Sequence, residues 1–231
     1  MRIRTLTLTV ASGAALLTAA LIPTSASGMP DPPFGREGSV SAGDLLAKLT
    51  SCAQVSHGMY RTDETTAATV PVCEKNGAVF WTADMDIDCD GQRTAVCNEH
   101  TDPWFLPDTA FHQSDGRPLR SDTLPYVVVP GASDTWDYTA AGIRGGSVVA
   151  VVHDDQVRYA VVGDTGPRRI IGEASYAAAE ALGIDPDPTT GGTASGVTYI
   201  LFKDSRVSPI ESHETAVALG ERLAEEFIEN N

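Results

Sequence analysis

Two carboxylates set among glycines and strand-forming residues, Asp164 and Glu173, are the side chains of this sequence best suited to do chemistry. A carboxylic acid can hand a proton to a leaving oxygen while a neighbouring carboxylate activates a water, so such a pair fits general acid–base catalysis. A second acidic group lies upstream, where Asp84, Asp86, Asp88 and Asp90 alternate with Met85, Ile87 and Cys89. In an extended chain these four acids share a face and repel one another, so the row calls for a cation, a donor network or water. Trp136 and Tyr138 stand between acids in Ser133-Asp-Thr-Trp-Asp-Tyr138. Aromatic faces beside carboxylates suit a cationic ligand that stacks, although both rings would serve equally well as core.

The elements that must position the pair can be read around it. Val157, Tyr159 and Val161 alternate with Arg158 and Ala160 as in a half-buried strand, and Gly163 and Gly166-Pro167 then break the pattern. That reading puts Asp164 at a strand mouth. Beyond the turn, Ile170-Ile171 forms a short apolar run. Gly172-Glu-Ala-Ser175 then leads into Tyr176–Leu182, a helix-forming stretch that stops at Gly183, so Glu173 falls at or near a helix start. On spacing alone, Asp164 could equally be a turn residue bonded to local amides, and Glu173 a favourable charge near a positive helix end.

Elsewhere the chain alternates short strands with few helices. Ser41–Leu49 spaces Leu45, Leu46 and Leu49 along one face of a short helix, with Ser41 and Asp44 suited to cap it. Val70–Cys73 and Ala78–Thr82 read as strands around the Asn76-Gly77 turn. Thr101–Pro107 and Asp115–Pro118 read as loops, and Leu124–Pro130 as an apolar strand between prolines. Gly145–His153 is the most hydrophobic strand, in a hairpin with the Val157 strand across Asp154-Asp155-Gln156. Val197–Phe202 is a buried strand. Ser212–Asn231 is a helix burying Ala216, Leu219, Leu223, Phe227 and Ile228. The sum is a mainly β, α+β domain.

Composition bounds the partners. The chain has 231 residues and a formal charge of −15. Met1-Arg-Ile-Arg4, the apolar run through Ile22 and the small residues up to Ala26 read as a secretory signal peptide over 1–26. Cleavage there would take Arg2 and Arg4 and no acid, moving the charge to −17. A short leader over 27–42 and a catalytic domain over 43–231 would follow. So acidic a protein makes a poor partner for nucleic acid or an anionic membrane and steers cationic ligands inward. We expect an extracellular monomer. Cys52, Cys73, Cys89 and Cys97 are even in number, which in an exported chain argues for two disulfides with three pairings open.

Other chemistries find little support. Asp86-x-Asp88-x-Asp90-Gly91 opens like a calcium loop, but the position that needs a bidentate Glu is Cys97. No Gly-x-Ser-x-Gly elbow, histidine metal motif or phosphate-binding glycine loop occurs, so neither a metal nor a nucleotide cofactor is expected.

Taken in order, Met85-Asp-Ile-Asp-Cys-Asp-Gly91, Leu124-Pro-Tyr-Val-Val-Val-Pro130, Val162-Gly-Asp-Thr-Gly-Pro167 and Ile171-Gly-Glu-Ala-Ser175 closely resemble glycoside hydrolase family 75, the fungal and bacterial chitosanases. The resemblance runs from about Leu45 to Phe202. It implies endo-hydrolysis of β-1,4 links in chitosan with inversion, with the essential Asp and Glu falling on Asp164 and Glu173. The Gly-Asp-Thr-Gly-Pro turn resembles that of double-psi β-barrel hydrolases, which implies a six-stranded double-psi barrel with peripheral helices. On this reading Asp84, Asp86, Asp88, Trp136 and Tyr138 bind the amino sugar. Asp164, beside apolar strand residues, would be the general acid and Glu173 would position the water, with the exchanged roles left open.

Overall fold

The computed structural model describes residues 37–231. The signal-peptide reading and most of the leader lie outside the described residues.

The scaffold begins with a strand longer than its sequence pattern predicts. Strand β2 (Cys73–Lys75) turns at Asn76-Gly77, where Gly77 has φ +83°, and returns as β3 (Ala78–Asp88). β2 also pairs with the two-residue β1 (Ala53–Gln54), which follows helix α1 (Ala42–Ala47). As expected, Ser41 caps α1, its Oγ accepting from the Asp44 N–H at 3.1 Å. The remaining strands are β4 (Tyr126–Pro130), β5 (Val148–His153), β6 (Gln156–Gly166), β7 (Glu173–Ser175) and β8 (Thr193–Phe202). Helix α2 (Tyr176–Ala181) follows β7 directly, and α3 (His213–Asn230) follows β8.

The sheet closes on itself. Its order is β3-β7-β4-β6-β5-β8, and β8 pairs back to β3, giving a six-stranded barrel of mixed parallel and antiparallel neighbours. One apolar layer draws on alternate residues of all six strands, among them Trp81, Met85, Ala174, Val127, Val162, Val149 and Tyr199. Trp81 stacks on Tyr199 with ring centroids 5.5 Å apart. The opposite faces carry Phe80, Val128, Tyr159 and Phe202, covered by α1 and α3. α3 buries Ala216, Gly220, Ala224 and Phe227, and Phe227 meets Phe202 edge-on. Leu219, Leu223 and Ile228 are only partly buried.

Two readings around the carboxylate pair change. Gly163 does not end a strand: β6 runs on to Gly166 with a register shift between Val162 and Asp164. Gly163 is small because a Cβ there would come within 2.6 Å of the Tyr126 side chain and 2.8 Å of Leu119. A glycine that reads as punctuation is a point of close packing. Asp164 therefore stands within a strand, not at its mouth. Glu173 opens β7, and the helix begins only after Ser175.

Ser175 ties this junction together. Fully buried, its Oγ accepts from the Ala178 and Tyr126 N–H groups and donates to the Leu124 carbonyl. One hydroxyl thus caps α2 and fastens it to β4. The disulfides pair Cys52 with Cys73 and Cys89 with Cys97. The second closes the turn that follows the acidic end of β3.

Candidate active site

Strand register brings the distant acids side by side. β3 pairs with β8 as far as Met85, then runs parallel to β7, so that Asp86 lies opposite Glu173. Glu173 in turn faces Val128 on β4, and Val128 faces Asp164 on β6. Residues opposite one another in a ladder project to the same face. Asp86, Glu173, Val128 and Asp164 therefore form one transverse row. Glu173 and Asp164 are two strands apart, roughly 9.5 Å at the backbone from ordinary strand spacing.

Glu173, Val128 and Asp164 of this row floor a groove of about 360 Å³. Its walls add Asp88 and Asp90 from the end of β3, Asp102, Trp104 and Leu106 from the following loop, and Thr165-Gly166-Pro167 from the end of β6. Among the described residues five carboxyl groups line it and no basic side chain does. Trp104 is 85% exposed and Leu106 is 60% exposed, large apolar side chains held out at the rim of an acidic cleft.

The two central acids differ in their partners. Asp164 is 7% exposed, and its Oδ1 accepts the Ala110 N–H at 2.7 Å and the Thr165 N–H at 2.6 Å. Burial raises its pKa, and these two bonds to the charged form hold it back. Glu173 has no hydrogen-bond donor on its carboxylate among the described residues. Burial, then the charges of Asp86, Asp90 and Asp164, push its pKa up to about 7. The backbone of Gly166 lies against it: a Cβ there would sit 2.5 Å from Glu173 Oε2. Glu173 thus meets burial and like charge with no donor on its carboxylate, whereas Asp164 has two donors to its charged form.

The acidic row of β3 divides. Asp88 lines the groove; its Oδ1 accepts the Asp90 N–H at 2.7 Å, and burial beside Asp90 and Asp164 raises its pKa well above the ordinary value. Asp90 Oδ1 accepts the Leu106 N–H at 2.6 Å, fastening the rim loop to the strand end, and burial raises its pKa to about 6. Asp86 is exposed beside Glu173 but is not among the groove's lining residues. Asp84 is buried, with Oδ1 unpartnered and packed against Gly172, where φ is +113° and a Cβ would fall 2.0 Å away. Burial and Asp86 raise its pKa to about 7. Asp84 is a wall of the fold and does not reach the groove. Among the described residues no group of three or more His, Cys, Asp or Glu side chains is arranged to hold a metal ion.

The two aromatic side chains expected to bind lie away from this groove. Trp136 is 4% exposed, with its ring edge-on to Trp81 at 6.1 Å, and it lines a separate cavity with His57, Glu74 and Asp137. Tyr138 packs against the same apolar layer. Both lie outside the lining of the carboxylate groove. The aromatic side chain at the groove is Trp104, which sequence reasoning passed over as loop. Its signal was present in Asp102-Pro-Trp-Phe-Leu-Pro107, three large apolar residues pinned between prolines next to a disulfide-closed turn.

Comparison with known proteins follows the same lines. The family described as fungal chitosanase of glycosyl hydrolase group 75 matches over residues 85–230. Endo-chitosanase C of Aspergillus oryzae is 28% identical over 168 residues, covering 67% of this chain and 42% of that protein. An endo-chitosanase of Aspergillus oryzae (strain ATCC 42149 / RIB 40) is 32% identical over 150 residues, 60% of each chain. An endo-chitosanase of Aspergillus fumigatus is 34% identical over 116 residues, 45% of this chain and 48% of that one. The chain spans about half the length of the curated relatives it matches.

Proposed function

We propose, from the premise that this chain belongs to glycosyl hydrolase group 75, that it is an exported endo-chitosanase cleaving β-1,4 links with inversion. The observation that carries the reading is the register Asp164–Val128–Glu173 on the floor of a groove lined by five carboxyls and no cation. Chitosan is a polycation in mildly acidic water, and such a groove concentrates it and holds its amines.

Glu173 is the general acid. With its pKa near 7 it is protonated under those conditions and delivers its proton to the glycosidic oxygen as the bond to the anomeric carbon breaks. Asp164 is the general base. Its carboxylate, held by two backbone N–H groups, takes a proton from a water whose oxygen attacks the anomeric carbon from the opposite side. Inverting enzymes keep their carboxyls about 6.5 to 9.5 Å apart to admit that water, whereas retaining ones need about 5 to 5.5 Å. A two-strand separation supports the wider arrangement. Trp104 offers its face to a sugar ring at the rim, and Asp88 and Asp90 bind amines. Export is supported by the N-terminal sequence pattern and by two disulfides.

The test is reducing-end release from chitosan, chitin and cellulose, with proton NMR of the first products. New ends from chitosan that appear first as the α-anomer are expected. Binding without new ends would make the chain a polysaccharide-binding module, and β-anomer first would make it a retaining enzyme.

A further inference from the structure

Next to the acidic groove lies a hollow of opposite character. It measures about 600 Å³ and is lined by Arg61, Glu64, Pro167, Arg168, Arg169 and Ile170. Three arginines against one glutamate make a local positive patch on a chain whose formal charge is −15. Pro167 lines both cavities, so the two lie on either side of that residue. The preceding residue, Gly166, is the one whose backbone abuts the Glu173 carboxylate, and consecutive Cα atoms are about 3.8 Å apart. The hollow therefore opens within about one or two sugar rings of the proton donor.

Its framework is fixed by backbone bonds. The Arg61 N–H donates to the Arg169 carbonyl at 3.0 Å and the Ile171 N–H to the Arg61 carbonyl at 3.0 Å. The Arg61 guanidinium donates to the carbonyls of Glu64 and Thr66, each at 3.1 Å, which fixes its charge in the wall. Arg168 and Arg169 are exposed and have no ion pair among the described residues.

A protonated glucosamine is disfavoured beside these guanidinium groups. An N-acetylated sugar carries no charge, offers a carbonyl oxygen to guanidinium N–H groups, and has a methyl to set against Ile170 and Pro167. Resting on the chitosanase reading, the geometry points to a subsite at Arg61, Arg168, Arg169, Pro167 and Ile170 that selects an N-acetylglucosamine unit of the same polymer strand. The enzyme then cuts partially acetylated chitosan at a set distance from an acetyl group.

The experiment is digestion of randomly, partially N-acetylated chitosan with sequencing of the products by mass spectrometry. The unsubstituted protein is expected to give fragments with acetyl enriched at one fixed position from the cleaved bond. In the Arg168→Ala/Arg169→Ala double variant that enrichment falls about fivefold, the worth of about 1 kcal/mol. In the charge-reversed Arg168→Glu/Arg169→Glu variant, glucosamine takes the position. Circular dichroism confirms that each variant keeps its fold. Cleavage with acetyl groups scattered at random, or an unchanged pattern in the folded charge-reversed variant, overturns the subsite and leaves the activity standing. Absence of cleavage by the unsubstituted protein refutes the chitosanase reading and the subsite with it.

Discussion

Replacing Glu173 by glutamine is expected to slow chitosan hydrolysis while making the protein more heat-stable at pH 8. Burial and the charges of Asp86, Asp90 and Asp164 raise this carboxyl from 4.5 to about 7. At 1.36 kcal/mol per pKa unit the ionised form carries a penalty of roughly 3 kcal/mol, an upper figure because the neighbouring acids titrate with it. The sign follows from proton binding. The native state holds this proton more tightly than the unfolded chain, so the contribution is intact below about pH 4.5 and lost as pH rises through about 7. Glutamine cannot ionise, so the variant escapes the loss. For a chain of this length 1 kcal/mol is worth about 2 to 4 °C, so a gain of up to about 6 to 12 °C in Tm is expected at pH 8 and none at pH 4. Removing the proton donor should cost about 10²- to 10⁴-fold in kcat. Thermal melts at the two pH values and reducing-end assays on the same preparation check both. A folded variant within tenfold of the parent rate, or one whose Tm falls at pH 8, would refute the assignment of Glu173 as the buried proton donor.

Asp164→Asn should fold normally, since an amide oxygen still accepts from Ala110 and Thr165, yet lose about 10²- to 10⁴-fold in kcat in the reducing-end assay. The two tryptophans should separate by assay. Trp104→Ala is expected to raise KM for chitosan about tenfold with an unchanged Tm, because an exposed ring contributes stacking and no core. Trp136→Ala should cost about 3 to 5 kcal/mol in chemical denaturation, because it empties a core site against Trp81. Gly166→Ala would drive a methyl to 2.5 Å from Glu173 Oε2, and the displaced carboxyl should lower kcat about 100-fold with little change in KM, measured by initial rates.

Much of the scaffold is legible along the chain because it is set by short-range signals. The Asn76-Gly77 turn, the hairpin of β5 and β6 and the amphipathic α3 follow from local pattern. Asp164 and Glu173 stand out by their glycine-rich surroundings. Their roles do not, because the donor that steadies Asp164 comes from Ala110, 54 positions away, and the charges that press on Glu173 come from other strands. Gly163 misleads for a related reason. A missing side chain looks the same on paper whether it frees a turn or admits the ring of Tyr126. Trp136 and Trp104 likewise each stand two residues after an aspartate, and only tertiary contact decides which ring is enclosed.

The change of partner along β3 divides its labour. Its first eight residues, Ala78–Met85, lie against β8 and complete the closed wall, so alterations there endanger the whole molecule. Past Met85 the strand has left that seam: Asp86 and Asp88 pair with β7, Asp90 holds the rim loop, and the Asp88 and Asp90 carbonyls accept from Ser121 and Tyr126. A change of side chain at this three-acid tip would therefore alter the charge of the groove while leaving the β3–β8 seam in place.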